Sequence, residues 1–427
     1  MIICCGEALI DMVKIQVTGV GDCFLPLPGG SPYNTAIAIG RMGSPVKFLG
    51  RFSKDFFGES LLKRLKDNRV GEDLIIRSSQ NSTLAFVKLE KNKEPEYVFY
   101  TEGTADRSLS TADLPLKLPD NTSCILFGSI SMTMEPIASA IEALILREAT
   151  RKSAEEMDGA PVISFDPNIR PFMIKDKGAY IERMEKWIAA STIAKISAGD
   201  FEFIYPKLGL EQALKKTLTM GPRLVISTMG AKGSIALLRR NDGSLTRVSA
   251  PGVALPVIDT IGAGDAFHGA FLSWLELKGK MSSSALAALT ENDLYNALYF
   301  ANKAAALVCS KRGAEPPTRR EVENLKIPEP KSGANAKSAK PAVKSARPVV
   351  RSAKPVVKSA KPAAKPAKSA AKSTKSSANS VKPAAKPTAN SVKPAAKPAV
   401  KPAGKVTESK KTVKPLPKSS KPAGKNR

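Results

Sequence analysis

Asp265 closes the run Gly262-Ala263-Gly264-Asp265 within the stretch DTIGAGDAFHGA, residues 259–270, and Asp259 stands just upstream. An apolar segment, Ala266 to Leu277, follows at once, so the small residues and the acid lie at the mouth of an expected helix. The first backbone N–H groups of a helix have no intrahelical acceptor, and the macrodipole adds partial positive charge there. With almost no side chain at 262–264, an anion can reach those groups, which is the arrangement that holds phosphates and oxyanions. Asp265 in the same turn would then act on whatever the turn holds. Taken alone, the same residues also fit a plain helix start in which the glycines turn the chain and Asp265 caps the dipole.

A second constellation lies near the beginning of the chain. Asp11 reads as the end of a first strand, IICCGEALI, at the carboxyl edge where α/β sheets bind ligands. Gly29 and Gly30 then open a helix carrying Asn34 in its first turns. A carboxylate and an amide over a Gly-Gly backbone offer the acceptors and donors that a polyhydroxylated ligand needs. A capped helix beside a surface acid is the plainer alternative. GAKGS at 230–234 resembles a Walker A loop only superficially, so a nucleotide would bind in another way. His268, the one histidine, lies one turn after Asp265 with no nucleophile or metal-ligand partner, and reads as a packed residue rather than a base.

The elements that must position these residues follow from periodicity. The short apolar runs VKFLG (46–50), CILFG (124–128), PVISFD (161–166) and RLVIST (223–228) alternate with segments of helical period, such as 136–148, 180–190 and 264–277. That alternation predicts an α/β fold with a mostly parallel central sheet flanked by helices. VKIQV (13–17), TLAFVKLE (83–90) and EYVFYTE (96–102) instead alternate apolar and polar residues, as strands with one wet face do. They predict a small β-sheet lid with strands at about 13–28 and 83–102, the second pair joined as a hairpin.

Composition divides the chain of 427 residues in two. From Lys331 onward 26 Lys and Arg face a single acid, Glu408, so this segment holds +25 of the net +27 and residues 1–330 are left with +2. Its repeats, including ANSVKPAAKP at 378–387 and again at 389–398, combine regular proline with dense like charge. Both oppose a packed core, which predicts a folded domain over 1–328 and a disordered Lys/Ala/Pro-rich tail over 329–427. Lysines spread evenly without interleaved aromatics neutralise phosphates without reading sequence, so nucleic acid or another polyanion is the expected partner of the tail. Five cysteines without CxxC spacing suit free thiols in a reducing, cytoplasmic setting. The opening residues lack the features of a signal peptide, no run approaches the ~18 apolar residues of a membrane span, and the sequons at Asn81 and Asn121 would go unused.

DTIGAGDAFHGAFL (259–272) and PGGSPYNTAIAIGRMG (28–43) resemble the C-terminal and N-terminal signatures of the ribokinase-like, or PfkB, family of carbohydrate kinases. GTADRSL (103–109), FDPNIRP (165–171) and STMGAKGS (227–234) match further segments of that family, and GGSPYN, GTADR and CSKRGAEPP (309–317) are most similar to those of its bacterial fructokinases. The tail resembles those of linker histones. The resemblance implies a ribokinase-like fold and ATP-dependent phosphorylation of a sugar hydroxyl. Fructose giving fructose 6-phosphate is the first expectation, and 2-keto-3-deoxygluconate or another sugar the second. It makes Asp265 the general base and the backbone of Gly262, Ala263, Gly264 and Asp265 the anion hole. It assigns Asp11, Gly29, Gly30, Asn34, Arg107 and Arg170 to the sugar and phosphate region. Asn168, Ser197, Asp200, Thr228, Gly230, Gly233 and Asn302 fall to ATP and its Mg²⁺. Asp259, the backbone of Ile261, and Gly313 fall to a monovalent cation such as K⁺. A homodimer through the lid strands is a further implication. Two departures stand out: Ser197 and Asp200 replace the usual Asn-x-x-Glu pair, and Ser53 in GRFSKDFFG replaces a glycine. The reading of a different class is a nucleic-acid-binding protein whose basic tail is carried by an inactive kinase scaffold.

Overall fold

The computed structural model describes residues 1–88, 96–154 and 160–326. In chain order the strands are β1 Ile2–Cys5, β2 Leu9–Val17, β3 Gly21–Gly29, β4 Val46–Ser53, β5 Val70–Gly71, β6 Ile75–Ser78, β7 Thr83–Lys88, β8 Glu96–Tyr100, β9 Cys124–Gly128, β10 Val162–Asp166, β11 Ile193–Ser197, β12 Leu224–Thr228, β13 Ser234–Arg239 and β14 Leu245–Ala250. The helices are α1 Ser31–Met42, α2 Phe56–Asp67, α3 Ile137–Ala154, α4 Lys177–Ala190, α5 Ala198–Ile204, α6 Leu210–Thr219, α7 Ala263–Leu277, α8 Ser283–Ala287, α9 Glu291–Cys309 and α10 Arg319–Asn324.

The main sheet runs β14-β13-β12-β11-β10-β9-β1-β4-β5, with β6 also beside β4. Pairing is parallel from β12 across to β5, and β13 and β14 add an antiparallel edge. β9 and β10 are buried at every position, as strands covered on both faces must be. Alternate residues of β1 feed two apolar layers. Ile2 and Cys4 pack with residues of α1, α7 and α9, whereas Ile3 and Cys5 pack with residues of α3 and α4. The fold is the expected mostly parallel α/β arrangement. β11 and the β13–β14 edge were not among the runs singled out by periodicity. β14 alternates exposed and buried residues, so it carries no continuous apolar run.

The first strand is shorter than its apolar run suggested, and this corrects the placement of Asp11. β1 stops at Cys5, Gly6 takes a φ of 149°, and the side chain of Glu7 turns inward to accept hydrogen bonds from the amide and hydroxyl of Ser131. A buried carboxylate needs such donors, and meeting that need breaks the strand. Leu9 then begins β2 in a separate four-stranded sheet ordered β3-β2-β7-β8. Asp11 therefore lies within that sheet, opposite Leu27 and Ala85, and not at the carboxyl end of a core strand. β3, which contains Pro26 and Pro28, is an edge strand of this sheet, the position where a missing N–H costs least. β7 and β8 pair antiparallel as expected, while the loop between them (89–95) and the basic tail lie outside the described residues.

Helix α7 is buried along most of its length and packs against α1 and α9. It meets α1 closely at Gly269, where a side-chain carbon would stand 2.7 Å from Ala38 Cβ and 3.0 Å from the Thr35 carbonyl oxygen. This contact brings the N-terminal turns of α1 and α7 together. Gly269→Val should force the two helices apart and lower stability by about 1–3 kcal/mol, read as a lower midpoint in urea denaturation. An unchanged midpoint would show that the close approach does not exist.

Candidate active site

Gly262 caps α7 with a φ of 76°, a left-handed conformation that suits glycine, and a Cβ there would meet Ala314 at 2.6 Å. The first backbone bond of this helix runs from the Ala266 N–H to the Gly262 carbonyl at 2.8 Å, so the N–H groups of Gly264 and Asp265 come before the ladder begins. The Ala263 N–H, expected in the cradle, points instead to the Thr260 carbonyl at 3.3 Å. Asp265 is only 6% exposed, and α1 supplies a donor to each of its oxygens: the Ser31 hydroxyl to Oδ1 at 2.6 Å and the Asn34 amide to Oδ2 at 3.0 Å. Burial pushes the Asp265 carboxyl above the usual carboxylate range, against the lowering effect of these two bonds. Asn34 keeps its own Oδ1 buried and without a hydrogen-bond partner, an acceptor suited to a ligand hydroxyl.

A cleft of about 250 Å³ opens above this carboxylate, lined by the small sheet, by loops that follow strands of the main sheet and by the starts of two helices. Leu9, Asp11 and Phe99 come from the small sheet, Asn168 and Arg170 from the segment after β10, and Gly30, Ser31, Asn34, Gly262 and Gly264 from the two helix starts. Gly29 lets β3 lie against Asp11, since a Cβ there would stand 2.2 Å from the Asp11 Oδ2. Burial pushes the Asp11 carboxyl up to about 7, and the Arg170 guanidinium pulls it down. Arg170 donates to the Asn168 side-chain oxygen at 2.8 Å, with Asn168 at a φ of 37°. Glu7 also lines the cleft, and burial pushes its carboxyl up to about 7.

Arg107 is not among the residues lining this cleft. Its guanidinium pairs with the exposed Glu102 at 2.6 Å and donates to the Glu135 carbonyl at 3.1 Å. The reason is local, because Asp106 beside it turns inward to the Thr83 hydroxyl at 2.5 Å and sends Arg107 the other way.

Beneath the cleft lies a buried ionic cluster. Lys195 on β11 pairs with Asp166 at the end of β10 at 2.8 Å, and the two side chains are 4% and 5% exposed. Burial opposes both charges, but their mutual attraction prevails: Asp166 sits below its usual range and Lys195 above its own. His268 places Nε2 2.8 Å from the Ser164 hydroxyl and Nδ1 3.7 Å from Asp166, and burial lowers its pKa. It is the packed residue expected. Asp200 completes a capping box on α5 with Ser197, at 2.7 Å, and accepts the Ile169 N–H at 2.9 Å, so both of its oxygens are engaged. Burial raises its pKa, and Asp166 adds to the effect.

Ser197, Thr228 and Gly230 border a second, open depression of about 460 Å³. Gly233 packs against the Ala250 carbonyl rather than lining it, and Asn302 is buried with its amide on the carbonyls of Ala250 and Pro251 at 3.2 and 3.0 Å. Asp259 joins two loops by accepting the N–H groups of Ile261 at 3.0 Å and Gly313 at 2.9 Å. These three residues do meet, but through N–H donors rather than the oxygens that a cation requires. Ser53 is buried, and its hydroxyl accepts the Asp55 N–H at 2.9 Å, a serviceable replacement for glycine.

Two helix N-termini, a buried carboxylate and a polar cleft on a parallel α/β sheet are the components of a phosphoryl-transfer site. Residues 1–320 match the pfkB family carbohydrate kinase, and the chain belongs to that family. It is 38% identical over 296 residues to the fructokinase of Rhizobium leguminosarum bv. trifolii, covering 69% of this chain and 86% of the relative. Identity to the probable fructokinase-5 of Arabidopsis thaliana is 32% over 333 residues, covering 76% and 97% of the two chains. Among solved structures, it resembles the Xylella fastidiosa fructokinase with bound ATP at a TM-score of 0.66 and 26% identity, covering 75% of this chain and 96% of that one. It also resembles the Vibrio cholerae fructokinase bound to fructose, ADP and calcium ion at a TM-score of 0.63 and 25% identity, covering 75% and 97%.

Sequence reasoning passed over Glu7, Ser31, Asp166 and Lys195. A signal for Lys195 was available, since a charge within the apolar run IAKIS requires a buried counter-charge. Ser31 carries the clearest test. Its hydroxyl bond lowers the Asp265 pKa, so Ser31→Ala should raise it further. A carboxylate acting as base works above its pKa and fails as pH falls through it, so the acid limb of kcat/KM should move to higher pH. A limb that stays in place would mean that Ser31 does not tune this carboxylate.

Proposed function

We propose that this carbohydrate kinase transfers the γ-phosphoryl group of ATP to a hydroxyl of fructose, giving fructose 6-phosphate. The observation that carries the reading is Asp265 at the mouth of α7, held through both oxygens by α1 and facing the cleft. Its likeness to fructokinases supports fructose as the sugar. In this mechanism Asp265 accepts the hydroxyl proton while the hydroxyl oxygen bonds to the γ-phosphorus and the bond to the ADP oxygen breaks. The N–H groups of Gly264 and Asp265 receive the charge on the transferring group, with the Gly262 conformation opening the turn. Asp11, Asn34 and the Gly29-Gly30 backbone hold sugar hydroxyls, and Arg170 faces the sugar or its new phosphate. Arg107 pairs with Glu102 away from the cleft lining, so this reading gives Arg170 the part nearest the sugar.

The nucleotide extends toward Ser197, Thr228 and Gly230. Among the described residues no group of three or more His, Cys, Asp and Glu has a metal-holding arrangement, which suits a Mg²⁺ carried mainly on the triphosphate. When bound, that ion neutralises phosphate charge. Asn168 and the Ser197–Asp200 cap would border it, the cap acting through water. At the Asp259–Ile261–Gly313 junction, K⁺ would need carbonyl oxygens in addition to the carboxylate. The small sheet closes the cleft as a lid and excludes water. Its edge strands β3 and β8 and the exposed Phe24, Val98 and Tyr100 support a homodimer through the same sheet. No helix among the described residues is long and apolar enough to cross a membrane.

The decisive experiment is ADP release from MgATP across a sugar panel including fructose and 2-keto-3-deoxygluconate. Fructose should give the highest kcat/KM, and Asp265→Asn should lower kcat by about 10²–10⁴-fold. Absence of turnover with every sugar tested would leave the inactive-scaffold reading in its place.

The tail adds a separate activity, the sequence-independent binding of a polyanion such as nucleic acid. A chain ending at residue 328 should retain sugar turnover and lose its salt-sensitive binding to duplex DNA. Equal DNA binding with and without the tail would remove this role.

A further inference from the structure

The Lys195–Asp166 pair is not required by the steps above, and stability alone does not account for it. A buried ion pair is often no better than apolar residues of the same volume. This one leaves Asp166 Oδ1 and His268 Nδ1 buried without hydrogen-bond partners. What distinguishes the pair is its location. A Cβ built on Gly264 would stand 3.3 Å from the Lys195 Nζ, so the ammonium lies directly beneath the anion-binding turn. Lys195 also interacts electrostatically with Asp166, Asp200 and Asp265, the last of them in the turn itself. It does not line the cleft, so it acts through the turn and not by touching substrate.

We propose that Lys195 is a positioning residue for phosphoryl transfer, its ammonium clamped by Asp166 beneath Gly264 to provide fixed positive charge behind the anion-binding turn. This rests on the kinase reading and adds to it a residue that stabilises the arriving phosphoryl oxygens from below. In a dry interior a positive charge placed in advance costs no reorganisation when negative charge develops. A side chain at 264 would crowd the ammonium.

The test compares Lys195→Met, Lys195→Arg, Asp166→Asn and the double variant Lys195→Met/Asp166→Asn in three measurements: thermal melting, MgATP affinity by calorimetry without sugar, and steady-state kinetics with fructose. Lys195→Met should lower kcat by about 10–100-fold, less than loss of a direct donor, with the sugar KM unchanged and MgATP bound more weakly. Lys195→Arg should recover part of kcat. The double variant leaves no unpaired buried charge, so it should regain the melting temperature lost in the single variants while kcat stays low. A double variant with wild-type kcat would overturn the proposal and make the pair purely structural. So would a folded Lys195→Met variant with wild-type kcat and wild-type MgATP affinity. If the wild-type chain turns over no sugar, the kinase reading fails by itself, and MgATP affinity across the variants still decides the role of Lys195.

Discussion

The site depends on keeping one carboxylate buried while supplying the hydrogen bonds that favour its charge. Taking Asp265 out of water disfavours its charge, and the structure answers with a donor to each oxygen, both from the first turns of α1. Those donors reach Asp265 only because α1 and α7 lie close together, and Gly269 against Ala38 sets that closeness. The sequence distance between partners, 234 residues from Ser31 to Asp265, shows how much of the fold is enlisted to make the contact. The parallel sheet beneath the two helices supplies the rigidity, with apolar layers on both faces. Without that frame the GAGD run would be an ordinary helix start.

The second constraint is electrostatic. Glu7, Asp11 and Asp265 all line one cleft, and burial raises the carboxyl pKa of each, with Arg170 as the cation lining the same space. Such a cleft is matched to hydroxyl groups, which use carboxylates as acceptors, rather than to anions. Anions belong at the turn of α7, where N–H donors and the charge of Lys195 converge. The division is consistent with two substrates of different character, an uncharged polyol on one side and a polyphosphate on the other, meeting at Asp265.

Much of this was legible in the sequence because it is local. Buried parallel strands read as continuous apolar runs, glycine followed by an acid marks a helix start, and the alternating segments marked the second sheet. What escaped depends on contacts that no local pattern records. The break at Gly6 exists because Glu7 bonds Ser131, 124 residues away. Arg107 left the cleft because its neighbour Asp106 is anchored to Thr83. Asp200 stood out as a departure from the usual pair, but its bond to the Ile169 amide, 31 residues away, has no local signal. Lys195 and Asp166 stand on adjacent parallel strands, and only the strand order makes them partners.

The buried polar set also bears on whether the domain could be a scaffold for its tail. Ionised groups in an interior seldom favour stability, and apolar replacements of equal volume are often neutral or better. A chain kept only to carry a basic segment would face no barrier to losing Asp265, the Asp166–Lys195 pair or the unpartnered Asn34 oxygen. All of these groups are present and converge on one turn and one cleft. Their cost in stability is understandable when the interior must do chemistry, since the same low dielectric that penalises them strengthens their action on a transferring phosphoryl group.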